Sequence, residues 1–186
     1  MATTQLGPNT VSTVGELPAV GSQAPGFELV DLKFGALTDA DVAGKRVVLN
    51  IFPSIDTGVC QASVRKFNEL AGGLDNTTVV NVSVDLPLAQ ARFCGAEGID
   101  DVQVGSAFRS TFGQDYGVQM ADGGWQGMLA RAVVVLDTDR TVRGCRSRPC
   151  DRHGSWQPHN SATPPSTPWA SSPRSARRHP ASTWSD

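Results

Sequence analysis

The closing part of this chain lacks nearly everything from which a protein core is made. From Arg143 to Asp186 there is no Ile, Leu, Val, Phe, Met or Tyr. A segment without such side chains cannot bury enough apolar surface to offset the entropy lost on ordering. The foldable unit is therefore expected over residues 1–142, with residues 143–186 a disordered, Arg/Pro/Ser-rich tail. Cysteine is also scarce: there are four, and only Cys60 and Cys94 fall in the foldable part. That excludes a disulfide framework, which needs more bridges in a smaller chain. No apolar run approaches the roughly 18 residues of a membrane-spanning helix. The start, Met1 to Gly7, has neither the basic nor the apolar region of a secretory signal, so a cytoplasmic protein is expected. Residues 1–142 carry 9 Lys and Arg against 16 Asp and Glu, which offers no basic surface for nucleic acid. No internal repeat is present.

What remains is a regular alternation. Arg46–Phe52 is short, apolar and β-branched, as expected of a strand covered on both faces. Over Gly58–Leu70, Val59, Val64, Phe67 and Leu70 recur at helical spacing, and Gly72-Gly73 supplies the stop. Thr77–Val84 reads as a second buried strand. A short helix is expected over Leu86–Gly95, opened by Pro87. Val102–Val104 makes a weaker strand, Ala107–Phe112 a weaker helix, and Leu129–Leu136 a strong strand closed by the turn Asp137-Thr138-Asp139. Strands separated by helices imply an α/β sheet with helices on its faces.

The chemistry is expected where the first of these strands passes into the first long helix. Open α/β sheets place their sites at strand ends. Cys60 falls in the first turn of that helix, where unpaired N–H groups and the macrodipole favour negative charge. Thiols in such settings ionise more readily than free cysteine. Thr57, three residues earlier, can turn its hydroxyl back onto the sulfur. Position alone leaves a second reading open, a buried cysteine acting as a small hydrophobe. Arg131 interrupts the apolar run Leu129–Leu136, and a buried guanidinium is costly unless it meets an anion. It faces either solvent at an exposed edge or a thiolate on the neighbouring helix. Cys94 reads either as a core thiol or as a second redox thiol, which requires its Cα within roughly 7 Å of that of Cys60 at closure.

The segment Asn50-Ile-Phe-Pro-Ser-Ile-Asp-Thr-Gly-Val-Cys-Gln-Ala-Ser-Val-Arg65 resembles the active-site segment of the bacterial thiol peroxidases, the atypical two-cysteine peroxiredoxins. Pro53, Thr57 and Cys60 fill the peroxiredoxin pattern of Pro, three residues, Thr, two residues, Cys. Asp85–Gly98 is similar to the segment that carries this subfamily's resolving cysteine. Gly15–Pro25, Asp115–Val118 and Ala130–Val135 are similar as well, in the same order. The resemblance implies a thioredoxin-like fold and reduction of hydrogen peroxide and organic hydroperoxides without metal or organic cofactor. It makes Cys60 the peroxidatic nucleophile and Arg131 the stabiliser of thiolate and leaving oxygen. Thr57 orients sulfur and peroxide, and Pro53 shields the thiolate. Cys94 becomes the resolving thiol of an intrachain disulfide, which thioredoxin reduces after local unwinding of both helices. The resemblance is compatible with a homodimer and implies no nucleic-acid or membrane partner.

Beyond Asp139 the likeness stops. The family continues with a strand beside that of Arg131 and a C-terminal helix, and both are expected to be missing here. The composition after residue 142 is what a shifted reading frame in a GC-rich coding region produces. An impaired or inactive product without a stable catalytic fold is therefore the alternative to an active enzyme. The quartet Cys145, Cys150, His153 and His159 has zinc-ligand residue types, but its spacing fits no usual zinc motif. The seven Arg of this stretch read as a solvated basic tail.

Overall fold

The computed structural model describes residues 1–147. Two sheets are present among them. A hairpin of β1 (Thr3–Leu6) and β2 (Asn9–Ser12) stands apart, and seven strands form the main sheet. These are β3 (Glu28–Val30), β4 (Ala36–Thr38), β5 (Arg46–Ile51), β6 (Thr77–Ser83), β7 (Gln103–Ser106), β8 (Ala132–Leu136) and β9 (Val142–Ser147), in spatial order β4-β3-β7-β6-β5-β8-β9. The three helices are α1 (Gly58–Ala71), α2 (Pro87–Glu97) and α3 (Phe112–Asp115). β5, β6 and β7 run parallel, as strands linked by helical crossovers must, and the outer pairs are antiparallel.

Each central strand sends alternate residues to opposite faces. Val47, Leu49 and Ile51 of β5, Val80 and Val82 of β6, and Ala132, Val134 and Leu136 of β8 join Phe112, Tyr116 and Val142 in the larger core. The other face carries the paired residues Asn50 and Asn81, whose side chains bond at 2.6 Å, and Ser63 of α1 donates to Asn50 at 3.1 Å. α1 therefore lies on that face. A second apolar cluster there gathers Phe52, Ile55, Cys60, Val64, Phe93, Cys94 and Val104, from α1, α2 and the strand ends. Arg65 grips Glu97 through two bonds, at 2.7 and 2.9 Å, and so ties α1 to α2.

Gly98 ends α2 in the left-handed conformation (φ 62°), which a residue without Cβ adopts at little cost. Gly117 is more constrained: at φ 66°, a Cβ there would meet the Glu16 carbonyl oxygen at 2.2 Å. This explains the glycine in the segment Asp115–Val118.

Five expected elements stand within a few residues of their places, and three features differ. Residues 107–111 form turns rather than a helix, because Ser106 and Ser110 hydroxyls accept the amides of Phe108 and Phe112 and so compete with helical bonding. The strand expected from Leu129 starts at Ala132, since Leu129 bridges to Gln119 and Ala130 donates to Val118. The third difference is a correction. The strand expected to be missing beside β8 is there: β9 pairs with β8 from Leu136↔Val142 to Ala132↔Ser147. The ordered sheet thus runs past the boundary drawn at Val142. Ladder hydrogen bonds come from the backbone, so Gly144, Cys145, Arg146 and Ser147 pair without aliphatic side chains, a register shift passes over Arg143, and Val142 fills the core. The usual C-terminal helix, the expected disorder of the tail, and Cys150, His153 and His159 of the quartet all lie outside the described residues.

Candidate active site

β5 is extended by one bond, the Phe52 amide to the Val82 carbonyl, and then the chain turns at Pro53, which is buried. Pro has no N–H to continue the ladder, so the strand ends there. Thr57 caps α1 with extended backbone (φ −107°, ψ 135°), yet its side chain makes no cap bond to the helix amides. Its hydroxyl is directed instead to the Cys60 sulfur, at 2.7 Å, with the Ser54 carbonyl farther away at 3.3 Å. Cys60 is the third helical residue, inside the turn whose N–H groups lack helical partners. No acidic residue lies in that turn to oppose a negative sulfur.

The strand register brings the cation. β5 and β8 pair antiparallel with Ile51 opposite Ala132. One step farther sets Arg131 opposite Phe52, at the end of β5 from which the Cys60 loop departs. Its guanidinium Nη2 donates to the Cys60 sulfur at 3.0 Å. Both groups are enclosed: Cys60 is 0 % exposed and Arg131 7 %. The solvent-facing alternative for Arg131 is thus not what the geometry shows. Arg131 Nε is buried with no hydrogen-bond partner among the described residues, a donor available to an oxygen entering the site. A neutral hydroxyl and a cationic guanidinium thus converge as donors on one buried sulfur.

Cys94 sits in the same apolar cluster as Cys60, on the buried side of α2, and is 6 % exposed. Burial pushes its thiol above the ordinary value. Both cysteines are free thiols here. The two helices that hold them are tied together by the Arg65–Glu97 pair. Cys145 is a half-buried free thiol on β9. Among the described residues no group of His, Cys, Asp and Glu is arranged to hold a metal. None of their helices is long and apolar enough to cross a membrane.

Sequence reasoning missed the support beneath the loop. Asp85 accepts Ser54 Oγ and the Ile55 amide, each at 2.7 Å, and Ser83 Oγ at 2.7 Å. Asp85 lies inside a segment already singled out, but its loop partners Ser54 and Ile55 are distant in the chain and no spacing rule connects them.

Comparison with known proteins gives this geometry a family. The Redoxin family pattern matches residues 19–150. Thiol peroxidase of Mycobacterium tuberculosis is 54 % identical over 142 residues, covering 76 % of this chain and 86 % of the relative. Thiol peroxidase of Corynebacterium glutamicum is 51 % identical over the same length and shares. The crystal structure of a peroxiredoxin-like protein from Aquifex aeolicus superposes with a TM-score of 0.76 at 36 % identity, covering 80 % of this chain and 87 % of that one. Thiol peroxidase from Chromobacterium violaceum, at 19 % identity, shares the fold with the same TM-score over 82 % and 90 % of the two chains. With its thioredoxin-like sheet and the Pro53–Thr57–Cys60 loop in place, the chain belongs to the bacterial thiol peroxidases of the peroxiredoxin family and is a thiol-dependent peroxidase.

Proposed function

We propose that Cys60 is the residue that attacks hydroperoxide and that Cys94 resolves the product. The convergence of the Thr57 hydroxyl and the Arg131 guanidinium on one buried sulfur carries this reading. The Cys60 thiolate displaces one oxygen of the peroxide: an S–O bond forms, the O–O bond breaks, and the departing oxygen leaves as water or alcohol after taking a proton. Arg131 Nη2 already holds the sulfur, and Nε offers a second donor to the oxygen on which charge develops. Thr57 fixes the direction of the sulfur lone pair, and Pro53 helps to keep water from it.

The Cys60 sulfenic acid then condenses with the Cys94 thiol, releasing water and leaving an intrachain disulfide. A thioredoxin-type dithiol reduces that disulfide by exchange and becomes oxidised in turn. All five residues come from one chain, and none of the steps as written calls on a metal or organic cofactor. A cytoplasmic setting belongs to this reading, because a thioredoxin-recycled dithiol needs a reducing compartment. The test is peroxide consumption with thioredoxin and its reductase. We expect Cys60→Ser to abolish turnover and Cys94→Ser to allow one oxidation of Cys60 without thioredoxin-linked recycling. Undiminished turnover in Cys60→Ser would overturn the reading.

A further inference from the structure

One carboxylate holds both cysteine-bearing segments in their reduced arrangement. Asp85 lies between β6 and α2, next to Leu86, the residue that caps the helix of Cys94. Its Oδ1 accepts the Ser54 hydroxyl, and its Oδ2 accepts the Ile55 amide and the Ser83 hydroxyl, all at 2.7 Å. Ser54 and Ile55 belong to the loop that leads to Thr57 and Cys60. On the other side, Ser83 Oγ also accepts Gln90 Nε2 of α2 at 2.9 Å, and Ser106 Oγ of β7 donates to the Asp85 carbonyl. Ser83, Gln90 and Ser106 are buried, so the anchor is rigid while the loop is the part it holds.

We propose that Asp85 is a positioning residue that sets how the Cys60 sulfenic acid is partitioned. This rests on the roles assigned above to Cys60 and Cys94. With the loop held, the sulfur stays beneath Thr57 and Arg131, where a second hydroperoxide oxidises it to sulfinic acid and leaves as water or alcohol. With the loop released, the same sulfur meets Cys94, forms the S–S bond and expels water. Because Asp85 joins the loop to the start of α2, its release frees both segments together. The clamp therefore favours the first oxidation of Cys60 and delays resolution.

The experiment measures, by mass spectrometry of the full chain with thioredoxin and its reductase present, the hydroperoxide concentration at which half of Cys60 becomes sulfinic acid. Asp85→Asn keeps the size of the side chain but turns one accepting oxygen into a donor that opposes a donor already there. We expect that concentration to rise about tenfold, and the rate constant of the first oxidation to fall by a similar factor. Ser54→Ala removes one of the carboxylate's three bonds, along with the Asp56 amide bond to the same hydroxyl, and is expected to move both quantities the same way by about threefold, which keeps the test open if Asp85→Asn folds poorly. Tyr116→Phe, which loses the bond to the Pro25 carbonyl far along the chain from this loop, should leave the partition unmoved. A partition unchanged or lowered in both clamp variants overturns the proposal. A shift equal to theirs in Tyr116→Phe also overturns it, by showing a general effect of stability. If the native protein forms neither sulfinic acid at Cys60 nor the Cys60–Cys94 disulfide, the underlying assignment fails and the proposal fails with it.

Discussion

Thr57 does something unusual for a helix-capping threonine: it gives its hydroxyl to a sulfur instead of a helix amide. The cap bond forgone is worth about 1 kcal/mol in an ordinary helix, so the sulfur contact has to repay it through function. Hydrogen bonds to charged groups contribute roughly 1.5–3 kcal/mol, which converts to roughly ten- to hundredfold in rate when present only in the reacting state. Thr57→Val should therefore slow Cys60 oxidation by at least about tenfold, while Thr57→Ser retains most of the native rate. Single-turnover kinetics with limiting peroxide measures both. Thr57 and Cys60 were legible in the sequence because their relation is local, three residues within one helical turn. Arg131 was legible as an anomaly, a cation in an apolar run, with a thiolate as one of its two open partners; the choice between thiolate and solvent depends on the register of β5 against β8. Asp85 was not legible as a support, because its loop partners Ser54 and Ile55 lie about thirty residues away.

Between elements, the contact that matters most to the proposed Cys60–Cys94 disulfide is α1 against α2, which its closure would have to loosen. The Arg65–Glu97 pair crosses that contact, and Arg65 also lies over the Phe93 ring at 5.6 Å. Arg65 holds the Glu97 carboxyl below its ordinary value, chiefly through their hydrogen bond. A carboxylate with a lowered folded value adds stability above its unfolded pKa, and that stability is lost as pH falls through the folded one. Glu97→Gln should therefore melt slightly below the native protein at pH 7, and the gap should close as pH falls below about 4. A gap that persists at pH 3 would assign the effect to packing instead. Oxidation should act on the same contact: hydrogen exchange in α1 and α2 is expected to be faster in the disulfide form than in the reduced one. Equal protection in both forms would contradict the unwinding step. α1 was legible from its helical spacing, α2 from Pro87 at its start, and the central strands from their short β-branched apolar runs. The short strands β1–β4 were not, because three or four residues with one or two buried side chains carry no period to read.

At the scale of the whole molecule, the distribution of apolar residues located the domain but placed its edge too early. The absence of aliphatic residues after Val142 argued against a core contribution, and it was silent about backbone pairing. β9 is therefore the feature on which sheet integrity turns: it covers the edge of β8, the strand that follows Arg131. A chain ending at Thr141 loses the burial of Val142, about 2 kcal/mol, together with the β8–β9 ladder. Relative to a chain ending at Ser147, it should melt roughly 10 °C lower and aggregate through the exposed β8 edge. Equal melting temperatures and equal solubility would show that β9 adds nothing to the fold.

The account stands or falls on the guanidinium contact with sulfur. In a Cys94→Ser background, where the oxidised Cys60 cannot be resolved within the chain, the second-order rate constant for sulfenic acid formation reports the first step alone. Arg131→Met retains most of the buried stem and removes both donors. A drop of at least about tenfold with the fold intact is the predicted result, and an undiminished rate in a well-folded variant would contradict it.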